Sequence, residues 1–147
     1  MKHLNRRNTL KLGGVAIAAL AVSRAHALPG AEALVREFAR GQPVREAGLI
    51  LDIPAIAENA NAVPVAVRLD QNFSAGRHCE EFLLIAEKNP RPAACRFKFL
   101  PSMGMASIAT RIRLAESQTV IALARMSDGT VLSRRVEVTV TIGGCNG

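Results

Sequence analysis

The chain has no tryptophan and no tyrosine, and only five phenylalanines among its 147 residues. Stacking platforms for bases and sugars are built from aromatic faces, so no nucleic-acid partner is expected. Histidine is almost as scarce, and His78 is the only one beyond residue 27. A blue-copper site needs two histidines and a cysteine, and a catalytic zinc site usually needs two or three histidines. Neither set is available. G-x-S-x-G, phosphate-loop and paired-carboxylate motifs are also missing. The sequence therefore names no cofactor, no metal and no catalytic residue, and the chain is not expected to be an enzyme by itself. Its longest apolar run, from Leu12 to Val22, falls well short of the roughly 20 residues that span a bilayer, which argues against a membrane anchor.

That run belongs to an export signal. Lys2, Arg6, Arg7 and Lys11 give a basic start without any acidic residue, and Ala25-His26-Ala27 supplies a small-x-small cleavage pattern. Arg6-Arg7 followed by Leu10-Lys11 resembles the twin-arginine signal used by proteins exported already folded. Thr9 departs from it, standing where a large apolar residue is usual. Residues 1–27 are thus expected to be removed, leaving a periplasmic protein that begins near Leu28. Five of the 19 Lys and Arg lie in the leader and all 12 acidic residues lie beyond it. The formal charge of +7 therefore falls to +2, and the basic pI is no nucleic-acid footprint.

Beyond the leader, AEALVREFAR (31–40) places Leu34, Val35 and Phe38 on one face of a short helix closed by Gly41. Strand texture follows. Val63, Val65, Val67 and Leu69 alternate with Pro64, Ala66, Arg68 and Asp70. Phe82–Glu87 and Ala94–Leu100 flank a hairpin broken at Asn89-Pro90. Ile108, Thr110, Ile112 and Leu114 should point inward, with Ala109, Arg111 and Arg113 outward. Thr119–Met126 is apolar on both faces and should be central. Ser127-Asp128-Gly129 makes a tight turn into a last strand carrying Val136, Val138, Val140 and Ile142 on one face. With Leu49–Ile53 this gives about seven strands, the pattern of an all-β, immunoglobulin-like antiparallel β-sandwich. The expected organisation is a signal over residues 1–27, a carrier domain over 28–142 and an arm over 143–147.

Three cysteines in an oxidising compartment leave at least one unpaired. Cys95 alternates with Phe97 and Phe99 and should face the core. Cys79 follows His78 at an exposed strand start. The hairpin puts the two about five positions out of register, so two separate half-buried thiols are expected over a disulfide. The third thiol, Cys145, sits in Gly143-Gly144-Cys145-Asn146-Gly147. Glycine and asparagine tolerate left-handed backbone and supply no packing surface, so this stretch reads as a mobile strap. Five residues at about 3.5 Å each reach about 17 Å. No cation adjoins Cys145 in sequence, and a free thiol of pKa about 8.5 is only a few per cent ionised at neutral pH. The thiol is accessible but not self-activated. Met103-Gly104-Met105 is expected to fold its side chains onto the core rather than bind copper.

Several segments have a recognisable order: Leu51-Asp52-Ile53-Pro54-Ala55-Ile56-Ala57-Glu58-Asn59, Val63-Pro64-Val65, Ala86-Glu87-Lys88-Asn89-Pro90-Arg91-Pro92, Thr110-Arg111-Ile112-Arg113-Leu114-Ala115-Glu116-Ser117-Gln118, Met126-Ser127-Asp128-Gly129 and Ile142-Gly143-Gly144-Cys145. With the twin-arginine leader they resemble the SoxY family, the sulfur-carrying subunits of periplasmic thiosulfate oxidation. The resemblance implies an immunoglobulin-like sandwich paired with a SoxZ-like sandwich subunit. It implies a covalent carrier thiol at Cys145 and hinge glycines at Gly143, Gly144 and Gly147. It also implies three kinds of partner: a haem-containing thiosulfate-conjugating enzyme, a sulfate-releasing hydrolase and a sulfane dehydrogenase. Asn146 departs from the family's usual glycine, and Cys79 and Cys95 are additional. Two other readings compete: a structural periplasmic sandwich using Cys145 for an intermolecular disulfide, and a copper or sulfur-relay chaperone using Met103, Met105 and His78.

Overall fold

The computed structural model describes residues 29–70 and 76–141. Helix α1 (Ala31–Ala39) buries Leu34, Val35 and Phe38, with Glu32 in its first turn and Arg36 in its last, the charge order that suits the helix dipole. The left-handed stop is taken first by Arg40 (φ 50°), whose amide donates to the Arg36 carbonyl, and only then by Gly41.

Nine strands follow among the described residues: β1 (Val44–Arg45), β2 (Leu49–Asp52), β3 (Ile56–Ala57), β4 (Val63–Leu69), β5 (Cys79–Ala86), β6 (Ala93–Lys98), β7 (Ser107–Ile112), β8 (Gln118–Met126) and β9 (Val131–Val140). The expected count of about seven is corrected upward by β1 and β3. Each has two residues and pairs in parallel with β9, too short to leave a periodic pattern. One sheet has the order β1-β9-β8-β5-β6, with β3 also on β9, and the other is β2-β4-β7. The alternation of β4 buries Val63, Val65 and Val67 and exposes Pro64 and Arg68, as a strand with one solvated face requires.

The main core lies between the sheets, where Val65, Val67, Phe82, Leu84, Val120, Ala122 and Val138 meet. Phe99 packs against it and meets Phe82 edge-to-face at 4.8 Å. A second cluster forms outside the larger sheet, where Leu34, Val35 and Phe38 of α1 cover Leu83, Ile85, Ile121, Leu123 and Val131. This explains why β5 and β8 are apolar on both faces: one faces the sandwich interior and the other the helix.

Two local expectations are overturned. Met103 and Met105 are 59% and 71% exposed, because Pro101–Met103 forms a 3-10 turn between the sheets that turns them away from the core. Cys79 is not half-buried at an exposed strand start but only 3% exposed. A bulge between Cys79 and Glu81 sets Cys79 opposite Met126 and Glu81 opposite Arg125. This directs the thiol into the core and the carboxylate to the helix-covered face.

Candidate functional site

The end of the sandwich from which β9 continues is built by three connections. The β5–β6 hairpin turns at Asn89-Pro90, and its side chain organises the neighbouring loop. Asn89 Nδ2 donates to the Arg113 carbonyl at 2.7 Å, and its Oδ1 accepts from the Ala115 amide at 2.8 Å and from Gln118 Nε2 at 3.0 Å. Gln118, buried at the start of β8, also accepts from the Lys88 amide at 2.9 Å. Its buried amide group is thereby satisfied, as buried polar groups generally are. The β3–β4 connection joins the same end through the Leu114 amide, which donates to the Ala60 carbonyl.

The last strand is held on both sides where it reaches this end. The Val140 amide donates to Ser117 Oγ at 2.9 Å. On the other side, the Thr139 amide donates to the Ala55 carbonyl at 2.8 Å and the Thr141 amide to the Ala57 carbonyl at 3.1 Å. Strand β9 itself ends at Val140, short of the expected Ile142, and Thr141 continues only the contact with Ala57. The proposed carrier residue Cys145, with Gly143, Gly144, Asn146 and Gly147, lies outside the described residues, as do the leader residues Arg6, Arg7, Ala25 and Ala27.

The two other cysteines are free thiols, and their surroundings disable them. Cys95 pairs with Leu84 across the hairpin, five residues along β5 from Cys79, which reproduces the expected offset and leaves no disulfide geometry. The Cys79 thiol points at the Glu81 and Arg125 carbonyls, each 3.6 Å away. Loss of hydration pushes it up to about 12, leaving a thiolate fraction on the order of 10⁻⁵ at neutral pH. Burial also raises Cys95. Since the thiolate is the nucleophile, neither is suited to react.

A charged cluster that sequence reasoning missed ties this sheet to the helix. Glu81 is 2% exposed and receives Arg125 Nη2 on one oxygen and Arg96 Nη1, at 3.1 Å, on the other. Arg125 also donates to the Phe38 carbonyl at 3.1 Å and lies over the Phe38 ring, 4.8 Å from its centroid. The signal was present in the sequence: Glu80-Glu81 in β5 and Arg125 in β8 are opposite charges within two largely apolar strands. Among the described residues no group of three or more His, Cys, Asp or Glu side chains is placed to hold a metal ion. No helix there is long and apolar enough to cross a membrane.

Fold and site define a class: a small immunoglobulin-like β-sandwich whose core thiols are silenced and whose last strand is pinned at one end of the sandwich. A family model described as sulfur oxidation protein SoxY matches residues 35–145, and the chain belongs to that family. The family's description places the chain in sulfur oxidation. Among solved structures, the sulfur carrier protein SoxY from Chlorobium limicola f thiosulfatophilum shares the fold with a TM-score of 0.63 at 23% identity, over 76% of this chain and 96% of that one. A superoxide reductase (neelaredoxin) from Ignicoccus hospitalis has a TM-score of 0.57 at 16% identity, over 65% of this chain and 81% of that one. The superoxide reductase from Nanoarchaeum equitans has a TM-score of 0.54 at 10% identity, over 65% of this chain and all of the other. At these identities the likeness is one of fold. No curated protein matches the chain by sequence.

Proposed function

We propose that this chain carries sulfur intermediates of thiosulfate oxidation covalently on Cys145. The observation that carries the reading is the extent of the family match, which runs to residue 145. The silenced state of Cys79 and Cys95 supports it, because it leaves Cys145 as the remaining candidate among the three thiols. In the first step the Cys145 thiol loses its proton and bonds to the outer sulfur of thiosulfate, giving Cys–S–S–SO₃⁻. The two electrons released pass to the haem-containing partner. Water then attacks the sulfone sulfur, releasing sulfate and two protons and leaving the persulfide anion. A sulfane dehydrogenase would oxidise the remaining sulfur.

In this reading residues 1–27 are a twin-arginine leader, residues 28–142 form the carrier domain in the periplasm, and residues 143–147 form an arm hinged at Gly143, Gly144 and Gly147. A SoxZ-like sandwich completes a heterodimer. Anchoring β9 on both Ser117 and Ala57 gives such an arm a fixed root, and partner enzymes supply the activation that the thiol lacks.

Incubation of the reduced protein with thiosulfate and its haem-containing partner tests the reading. A mass increase of one S₂O₃ unit should appear on the C-terminal peptide and vanish in Cys145→Ser. An adduct that persists in that variant would assign the chemistry to another residue. A disulfide-linked dimer without any adduct would favour the assembly reading.

A further inference from the structure

Four grooves on the described surface differ in charge. Three have a carboxylate in their lining: Asp52 beside Arg111, Glu58 beside Ile56 and Asn59, and Glu137 beside Lys88. The fourth, of about 380 Å³, is lined by Asn89, Pro90, Arg91, Arg113 and Ala115 and has no acidic residue. Neighbouring charges are already matched: Lys88 pairs with Glu116 at 3.6 Å, and Arg135 with Glu87 at 3.4 Å. Neither Arg91 nor Arg113 has an ion-pair or hydrogen-bond partner for its guanidinium among the described residues. The groove floor is nevertheless fixed, because Asn89 bonds to both Arg113 and Ala115 through their backbones.

We infer that the Arg91–Arg113 groove is the resting site for the sulfonate end of the group carried on Cys145. This deepens the proposed function and rests on it. The groove lies at the end of the sandwich that β9 leaves. Val140 bonds to Ser117, only two residues from the groove wall at Ala115, so about 7 Å of chain separates them. Five residues from Val140 to Cys145 span about 17 Å when extended. The thiol therefore reaches the groove without disturbing β9.

Charge selects among the grooves within reach. An S-thiosulfonate ends in an anionic SO₃ group with three acceptor oxygens. The groove at Glu58 repels it, and two unpaired guanidinium forks accept it with charge-assisted hydrogen bonds. Both arginines are exposed, so each bond is weak and screened by salt. A carrier needs such a weak hold, since its cargo must leave for a partner's active site. Hydrolysis to the persulfide anion removes the three sulfonate oxygens and with them the forked hydrogen bonds, so the hold weakens to the attraction of a single anionic sulfur.

The test uses the exported chain, purified with any subunit that accompanies it and loaded chemically. The Cys145 thiolate attacks a central sulfur of tetrathionate, breaking the central S–S bond, expelling thiosulfate and leaving Cys–S–S–SO₃⁻. Peptide mapping confirms a single adduct. Nitrogen-15 spectra of reduced and loaded protein should then differ at the Arg91 and Arg113 Nε resonances and at the Ala115 amide. The difference should collapse at high salt and in an Arg91→Gln, Arg113→Gln double variant, and survive in Arg111→Gln. Shifts confined to residues 142–147 would overturn the inference. So would free thiosulfate giving the same saturable shifts in Cys145→Ser at micromolar concentration, which would mark a site for a dissolved oxyanion. Loading needs no partner enzyme, so a null result leaves the carrier reading standing. That reading fails separately, if the enzymatic adduct is absent from Cys145.

Discussion

The amide of Val140 donates to the hydroxyl of Ser117 at 2.9 Å, joining the last turn of the final strand to the β7–β8 connection. With Thr141 bonded to Ala57 on the other side, the strand is clamped up to the point where the glycine-rich segment begins. Replacing Ser117 with Ala removes an exposed side-chain acceptor, so global stability should fall by about 1 kcal/mol or less. The local effect should be larger: hydrogen exchange at the Val140 amide should accelerate several-fold, while amides in the middle of β8 keep their protection. Unchanged exchange at Val140 would show that Ser117 does not hold the strand end.

The Glu81 cluster makes a contrasting pair of variants. Glu81→Gln leaves Arg125, only 12% exposed, with the half-exposed Glu80 carboxylate at 3.8 Å as its remaining counter-charge, and breaking the buried pair costs about 3 kcal/mol. Arg96→Gln removes a partner that is 42% exposed, so solvent screening limits its cost to about 1 kcal/mol or less. Urea unfolding should rank them in that order. Because Arg125 also holds Phe38, Glu81→Gln should loosen α1 before it unfolds the sandwich, which helical amide exchange would detect.

The buried thiol of Cys79 predicts an alkaline limit. Its folded value lies near 12 against an ordinary value of 9.0, so the folded state holds the proton more tightly than the unfolded chain does. The stabilising difference is complete below pH 9. It declines by at most about 1.4 kcal/mol per pH unit above that and is exhausted near pH 12. Thermal unfolding of Cys79→Ala should therefore depend less on pH between 9 and 12 than that of the parent. Equal slopes would mean that the thiol is more hydrated than its position indicates.

Thiol labelling should separate the three cysteines. With a small alkylating reagent at neutral pH, Cys145 is expected to react first, Cys95 at least tenfold more slowly, and Cys79 only on unfolding, following burial and thiolate fraction. Peptide mapping over time reads out this order. Rapid labelling of Cys79 in native protein would contradict its place in the core.

Most of the sandwich was legible because its strands obey simple patterns. The alternation of Val63, Val65 and Val67, the two-sided apolar run of β8 and the turn at Ser127-Asp128-Gly129 each translate directly into register and burial. The offset between Cys79 and Cys95 followed from the position of Asn89-Pro90 alone. What escaped depends on contacts distant in sequence. The parallel pairings of Val44–Arg45 and Ile56–Ala57 with β9 are too short for periodicity. The inward turn of Cys79 depends on a bulge opposite Met126. Met103 and Met105 look like core residues by type, yet a proline-led turn between the sheets exposes them. At the functional end, Cys145 stood out by composition, but the framework of Asn89, Ser117 and Gln118 did not, because their side chains bond to groups 23 to 30 residues away that no local pattern pairs with them.

The central claim is that Cys145 bears the cargo. Intact mass spectrometry of the complex isolated from the periplasm of thiosulfate-grown cells tests it most directly, with fragmentation to locate the modification. The account predicts a mature chain lacking residues 1–27, accompanied by a second sandwich subunit and bearing sulfur or S-thiosulfonate on Cys145 that a reducing agent removes. Sulfur adducts on Cys79 or Cys95 with Cys145 unmodified, or Cys145 found only in a disulfide to a second chain, would contradict it.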